Sequence, residues 1–159
     1  MKHKHARGYT LIELLVVLAV MALLAGMAMP LAELNVQRAK ERELKRALWE
    51  IRDAIDAWQR ASAQGAIATA PGAYPYPPSL AALAQPQLDQ RPDRSQQTMR
   101  FLRRLPRDPF ADPALPAEQS WGQRGYRFEA DAPQPGHEVY DVYSRSTVKG
   151  LNGVLLAHW

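Results

Sequence analysis

A long apolar run dominates the first part of the chain. From Tyr9 to Leu31 the only ionisable side chains are Tyr9 and Glu13. About 20 apolar residues, at a rise of about 1.5 Å each, are enough to span a bilayer. The run therefore predicts a membrane-crossing helix over residues 9–31, with one carboxylate close to its start.

A second, amphipathic pattern extends from Glu33 to about Ser62. Five apolar residues recur at alternating spacings of four and three, which places them on one helical stripe: Leu44, Leu48, Ile51, Ile55 and Trp58. We expect this stripe to dock onto a sheet rather than to form a free coiled coil, because only a few turns carry it. The opposite surface offers i,i+4 ion pairs worth a few tenths of a kcal/mol each: Arg46 with Glu50, Arg52 with Asp56, and Asp56 with Arg60.

Pro30 separates the two patterns. A proline inside a helix removes one backbone hydrogen bond and disfavours helical geometry at the preceding residue, here Met29. The sequence therefore predicts one long helix of about 80 Å, kinked near Pro30. Its two parts are a transmembrane half, residues 9–31, and an amphipathic half, residues 32–63.

Residues 64–159 predict a small α+β head. Glycine and proline make residues 64–78 a loop, Ser79 can cap a short helix that ends at Ala84, and a further helix is predicted from about Ser95 to Leu105. Alternating side chains predict strands at residues 126–129 and 139–143, with a last strand at 154–159. Three short antiparallel strands on one long helix form a workable core, whereas two alone would be marginal.

The chain begins with a basic leader that stops at a glycine. Lys2, Lys4 and Arg7 precede Gly8, so residues 1–8 are predicted to be a leader on the cytoplasmic side, with the head beyond the inner membrane. A classical secretory peptide is the alternative. It would be cut after the apolar stretch, at residues 25–28.

Glu13 needs a partner if it enters a membrane. An acidic residue at the centre of a membrane helix costs about 2.5–3.5 kcal/mol on insertion scales, and less near an end. Cleavage after Gly8 would give Tyr9 a free α-amine with a pKa of about 7.7–8.0, about one helical turn from Glu13. The amine of a neighbouring subunit is a second candidate partner. The alternative is that Glu13 reaches the lipid headgroups.

Composition adds little chemistry. The net charge is +4, but Lys2, Lys4 and Arg7 account for three of these charges and leave about +1 without the leader. Nucleic-acid binding is therefore not expected. Four arginines would share one face of the predicted helix and form a solvated or partner-facing surface: Arg100, Arg103, Arg104 and Arg107.

No catalytic arrangement is evident from the sequence. The chain has no cysteine. Beyond the leader, His137 and His158 are isolated imidazoles without metal-ligand spacing. No glycine-rich phosphate loop is present. We therefore predict that the chain is not an enzyme.

The segment Gly8-Tyr9-Thr10-Leu11-Ile12-Glu13 resembles the class III signal sequence of type IV pilins and type II secretion pseudopilins. The resemblance implies prepilin peptidase cleavage after Gly8, N-methylation of Tyr9 and a role of Glu13 in filament assembly. The family usually has Phe where this chain has Tyr9. Pro30 matches the kinking proline common in pilins.

Motifs in the head resemble those of major pseudopilins, the type G class. They follow the signal in the family's order: Leu105-Pro106-Arg107-Asp108-Pro109-Phe110, Trp121-Gly122 with Tyr126, Asp141-Val142-Tyr143-Ser144, and Gly150-Leu151-Asn152-Gly153 with the terminal Trp159. Major pseudopilins often bind calcium after the Asp-x-Tyr-Ser strand. Residues 144–153 contain no Asp or Glu and carry two cations, which counts against calcium here. Asp141 and Asn152 remain as candidate ligands.

The resemblance implies a structural subunit of the periplasmic filament of a type II secretion system, single-pass in the bacterial inner membrane before assembly. Its implied partners are copies of itself, other pseudopilins, the prepilin peptidase, the inner-membrane assembly platform and the lipid bilayer. No resident cofactor is expected. The alternatives are a pilin of a type IV pilus or DNA-uptake machine, and a signal-anchored periplasmic binding module that never polymerises.

Overall fold

A computed structural model describes residues 9–94 and 97–159, apart from the side chains of residues 27–31. The chain divides into two compact units, a first that ends at Ala39 and a second from Lys40 to Trp159. The long helix α1, Leu11–Ala63, contributes to both. The second unit also contains the short helix α2, Leu80–Ala84, and four strands: β1 Gln87–Leu88, β2 Thr98–Met99, β3 Trp121–Arg124 and β4 Asp141–Ser144.

Helix α1 has clear signals at its C-terminal end. Gly65 adopts a positive φ of 71°. Its N–H donates to the carbonyl of Ser62 at 3.0 Å, and the N–H of Ala66 donates to the carbonyl of Ala61 at 2.9 Å. These two bonds form a Schellman motif, in which glycine tolerates the left-handed conformation. The helical backbone continues through Pro30. The side chains around Pro30 lie outside the described part of the chain, so the kink remains a prediction.

The amphipathic stripe of α1 forms the centre of the core in the second unit. Its five predicted residues are each no more than 6% exposed, which confirms the periodicity. They pack with apolar side chains from α2, the segment after β2, the strands β3 and β4, and the C-terminal turn, among them Leu80, Leu83, Leu102, Trp121, Val142 and Leu156. Ser79 caps α2 as predicted, because its Oγ accepts the N–H of Ala82 at 3.2 Å.

The predicted three-stranded sheet is wrong. The described residues form two two-stranded antiparallel sheets, β1 with β2 and β3 with β4. In the second sheet Trp121 pairs with Ser144 and Arg124 with Asp141. The C-terminal segment is a 3-10 turn, Leu156–His158, joined by a single bridge between Leu155 and Lys149. The buried stripe of α1 supplies core contacts that the two small sheets alone would not provide.

Two predicted elements of the head are misplaced. Residues 126–129 form a turn after β3 rather than a strand, because the N–H of Gly125 donates to Gln134 at 2.9 Å and a Cβ on Gly125 would meet Gly136 at 2.7 Å. The predicted helix over residues 95–105 is also wrong for its described part. Residues 98–99 are β2, and the N–H of Leu102 donates to the carbonyl of Leu83 at 2.9 Å. The four arginines therefore do not share a helical face.

Candidate functional site

The N-terminus of α1 is closed by two reciprocal hydrogen bonds between Thr10 and Glu13. The N–H of Glu13 donates to Thr10 Oγ1 at 3.3 Å, and the N–H of Thr10 donates to Glu13 Oε2 at 3.5 Å. Thr-x-x-Glu with this pairing is a capping box, which satisfies two backbone donors that a helix start otherwise leaves open. The negative charge of Glu13 in the first turn also interacts favourably with the positive end of the helix dipole.

The capping bonds leave Glu13 available for another partner. Both bonds are exposed, and the bond from Thr10 is long. Glu13 Oε1 accepts no hydrogen bond from any residue that the structure describes. Tyr9, which precedes the box, is 78% exposed. The carboxylate is therefore positioned by its own helix but still accessible at its second oxygen.

Gly8, the predicted cleavage position, lies outside the described residues. The predicted methylation position, Tyr9, and the predicted assembly residue, Glu13, are described and lie within one turn of each other at the start of α1. Both residues were predicted from the sequence, whereas the cap was not. The spacing Thr10-Leu11-Ile12-Glu13 in front of an apolar run was the available signal.

The apolar side chains after Glu13 are uncovered in the isolated chain. Every large apolar residue of the run from Leu11 to Leu24 is exposed by 47–78%. They occupy all sides of the helix, since they include consecutive residues from Leu14 to Leu18. A helix that is apolar all round is normally buried in a membrane or in a large core. Another apolar phase, lipid or protein, is required to cover this segment.

A membrane-spanning helix is not found in the described part of the chain. No helix there combines the length and the apolarity that a crossing requires. The predicted crossing of residues 9–31 is therefore not shown.

The candidate calcium ligands take part in other interactions. Asp141 Oδ1 accepts Nε of Arg52 at 2.8 Å, and its Oδ2 accepts a guanidinium N–H of Arg124 at 3.0 Å. Asn152 Oδ1 accepts the N–H of Val154 at 3.1 Å. Two guanidinium groups at one carboxylate supply the positive charge that a cation would bring. In the described residues, no three His, Asp or Glu side chains gather in a way that could hold a metal ion.

Arg52 also fastens the C-terminal segment to α1. Besides Asp141, it donates to the carbonyl of Val142 at 3.1 Å and to the carbonyl of Trp159 at 3.0 Å. From the preceding turns of the helix, Glu41 accepts the N–H of Leu151 at 2.8 Å. Two charged side chains of α1 therefore hold the loop of residues 144–153 and the C-terminal residue in place. Because Arg52 turns to Asp141, its predicted pair with Asp56 is wrong.

Three of the head motifs meet in one buried network. The carboxylate of Asp108, which is 3% exposed, accepts the hydroxyl of Ser144 at 2.6 Å and the N–H of Phe110 at 2.8 Å. Trp121 is fully buried and donates its indole N–H to the carbonyl of Pro106 at 2.9 Å. Residues from three separate sequence motifs thus form one structural unit.

Close packing explains two motif glycines. A Cβ on Gly122 would overlap the ring of Tyr143 across the β3–β4 pair, and a Cβ on Gly150 would overlap the indole of Trp159. Any side chain at either position would displace an aromatic ring. Gly122 and Gly150 are therefore required for space rather than for a left-handed φ.

The comparisons with known proteins bear on the N-terminal segment. Residues 3–29 match the family described as the prokaryotic N-terminal methylation motif. The chain carries a type IV pilin-like prepilin signal. Neither the curated proteins nor the solved structures gave a match. The signal confirms the coarse prediction, a pilin-like protein that is processed as a prepilin. It suggests a membrane-anchored protein.

Proposed function

We propose that the chain is a pseudopilin-like subunit that polymerises into the periplasmic filament of a type II secretion system. The observation that carries the proposal is the coincidence of the prepilin signal at residues 3–29 with a capped, accessible Glu13 at the start of an uncovered apolar helix. The order of motifs in the head favours the pseudopilin branch over a pilin.

Processing creates the second charge of the site. A prepilin peptidase hydrolyses the peptide bond after Gly8 and frees the α-amine of Tyr9, which remains cationic after a single methylation. The amine of the next subunit then donates to Glu13 Oε1, while Oε2 stays in the capping box. Two poorly solvated charges neutralise each other inside the polymer.

Assembly moves the apolar segment from lipid to protein. The side chains from Leu11 to Leu24 leave the bilayer and pack against the same segments of neighbouring subunits. The head keeps its own core throughout, since the stripe of α1 is already buried within it. The subunit catalyses nothing itself, and an ATPase elsewhere in the machine supplies the work.

Replacing Glu13 tests this function. A charge-assisted hydrogen bond is worth about 1.5–3 kcal/mol, so its loss should lower the assembly constant by about 10- to 150-fold. We expect Glu13→Leu to be inserted and processed normally but to give little sedimentable filament. Glu33→Leu is the matched control, because Glu33 is another exposed carboxylate of α1. Normal filament yield from Glu13→Leu would contradict the proposal.

The type IV pilus or DNA-uptake alternative shares the signal and the role of Glu13. Deletion of the gene in its host separates the two. Loss of protein secretion with intact pili supports the secretion system. Loss of surface pili or DNA uptake with intact secretion would assign the chain to the pilus machine.

A further inference from the structure

A groove with a volume of about 1200 Å³ lies in the second unit, next to the loop that follows α1. Apolar side chains that belong to the core or pack against it form its floor: Trp58, Ile67 and Tyr76. Prolines, whose φ is fixed, stiffen its walls: Pro71, Pro78, Pro86 and Pro135. Clefts for drug-sized ligands measure about 300–1,000 Å³, so this groove has room for a longer molecule.

One wall of the groove is the strand β1, which has a partner strand on one side, β2, in the described part of the chain. Leu88 lies opposite Thr98 in that pair. The next residue, Asp89, donates its N–H to the carbonyl of Gln97 at 2.9 Å. Because hydrogen-bonded and non-hydrogen-bonded positions alternate along an antiparallel pair, the N–H and the carbonyl of Leu88 point away from β2. Leu88 therefore presents a free backbone donor and a free acceptor at the outer edge of the sheet.

The segment that follows α1 forms a second wall of the groove. Ala68 and Thr69 belong to neither a helix nor a strand, and both are exposed. Their backbone groups make no hydrogen bond with any residue that the structure describes. The carbonyl of Ala66 accepts the N–H of Gln90 at 3.0 Å and so joins this wall to the segment after β1. Both walls therefore offer unpaired backbone groups beside an apolar floor.

Arg127 brings a positive charge to the groove. Its Nε donates to the hydroxyl of Tyr74 at 3.1 Å, and its guanidinium carbon lies 5.6 Å from the centre of the Tyr74 ring. Its two terminal nitrogens donate to no residue that the structure describes. Glu138 also lines the groove, but it is half-buried, and its Oε1 accepts the N–H of Tyr126 at 2.9 Å. Arg127 is therefore held in place with two nitrogens free to bind a carboxylate.

We infer that the groove binds an extended peptide segment of another protein, and that this segment carries a carboxylate. The peptide adds a strand to the free edge of β1, where its backbone pairs with Leu88, and its alternate apolar side chains cover the floor. Its carboxylate, from an acidic side chain or from a chain end, pairs with Arg127.

The free backbone groups distinguish a peptide from a lipid. An acyl chain would also fit the apolar floor, but it would cover the N–H and carbonyl groups of both walls without hydrogen-bonding them, which is unfavourable. A peptide replaces the water at these groups with its own donors and acceptors. The groove lies in the head, so its occupation does not depend on the apolar segment through which we propose that the subunit polymerises.

Selection from a displayed library of random ten-residue peptides with free C-termini tests the inference. The full-length chain is presented in lipid nanodiscs, and the affinity of each enriched peptide is then measured by fluorescence anisotropy. We expect the enriched peptides to have apolar residues at alternate positions and to bind through a carboxylate. Amidation of the peptide C-terminus shows whether that carboxylate is the chain end or an acidic side chain.

Two pairs of variants test the two contacts separately. Arg127→Gln should weaken peptide binding by about 10-fold or more, because a charge-assisted hydrogen bond is lost. Arg103→Gln is the matched control, because Arg103 is another exposed arginine of the head and does not line the groove. Leu88→Pro removes the outward N–H but no hydrogen bond to β2, and it should weaken binding about 2- to 12-fold beyond Leu88→Ala, which keeps that N–H. Circular dichroism checks that each variant is folded.

Each contrary result overturns a stated part of the inference. No enrichment over a selection on empty nanodiscs would overturn it and leave the proposed function standing, because filament formation is measured separately. Equal affinities of Arg127→Gln and the wild-type chain would overturn the carboxylate contact. Equal affinities of Leu88→Pro and Leu88→Ala would overturn strand addition, whatever the fate of Arg127→Gln. Binding of dodecanoate that Arg127→Gln abolishes, without any enriched peptide, would overturn the inference in favour of a lipid ligand.

Discussion

Ser144→Ala removes the link between the last strand of the head and the Asp108 turn. In the wild-type chain the Ser144 hydroxyl donates to Asp108 Oδ2 at 2.6 Å and accepts the N–H of Ser146 at 3.1 Å. Asp108 is 3% exposed, so water cannot easily replace the lost donor. The substitution therefore leaves one buried carboxylate oxygen without its partner.

The expected cost follows from the kind of bond lost. A hydrogen bond to a charged group contributes about 1.5–3 kcal/mol, and a buried acceptor left unpaired costs a similar amount. Asp108 retains the N–H of Phe110 as a donor, so the lower part of the range applies, about 1.5–2.5 kcal/mol. For a folded unit of this size, that destabilisation lowers Tm by about 5–12 °C.

Thermal unfolding of the full chain in mild detergent measures this effect. Near-UV circular dichroism reports on the buried Trp121 of the adjoining strand and thus on the head. Ser146→Ala is the matched control, because its hydroxyl accepts only the exposed N–H of Val148 at 3.2 Å. We expect the control to shift Tm by less than about 2 °C. An equal shift in the two variants would refute the reasoning from the buried carboxylate.

Two further predictions concern the head. The hydrogen-bonded Arg91 guanidinium lowers the pKa of Asp89 to about 2. The Asp89 carboxylate therefore stabilises the folded state fully above its unfolded pKa of about 3.9, and this stabilisation is lost as pH falls towards 2. Asp89→Asn should flatten the fall in Tm between pH 4 and pH 2, and an unchanged pH profile would contradict the pairing of Asp89 with Arg91. Gly122→Ala should destabilise the head by about 1–3 kcal/mol through overlap with the Tyr143 ring, measured by chemical denaturation. Tyr143→Ala in the same chain should remove most of that additional cost, and a fully additive double variant would show that the ring is not the obstacle.

The helical parts of the fold were predictable because their signals are local. The core stripe of α1 follows from the spacing of five residues, and all five are buried. The cap of α2 follows from Ser79 alone. In each case the spacing or the capping residue lies within a few turns of sequence, so the local pattern contains the information needed to predict the element.

The strands were harder to predict because alternation is not sufficient for pairing. Tyr126-Arg127-Phe128-Glu129 alternates like a strand, yet the chain turns there around the close approach of Gly125 and Gly136. The strand that forms instead is Trp121–Arg124. It includes Gly122, where a side chain would overlap the ring of Tyr143 on the facing strand. Both outcomes depend on residues distant in sequence, which periodicity does not reveal.

The candidate site was predictable in its residues but not in its geometry. Tyr9 and Glu13 stand out as the ionisable residues of an apolar run. The capping bonds of Glu13 were missed although Thr10 lies at the required spacing. The two arginines at Asp141 could not be predicted, because Arg52 and Arg124 lie far apart in sequence from each other.

The central claim is that the chain is processed after Gly8 and enters a polymer through its new N-terminus. Mass spectrometry of the N-terminal peptide from native membranes and from sheared filaments tests it most directly. We expect a peptide that begins at N-methylated Tyr9 in both fractions, and loss of that peptide when Gly8 is replaced by a bulky residue. A chain that still begins at Met1, in a cell with an active prepilin peptidase, would contradict it.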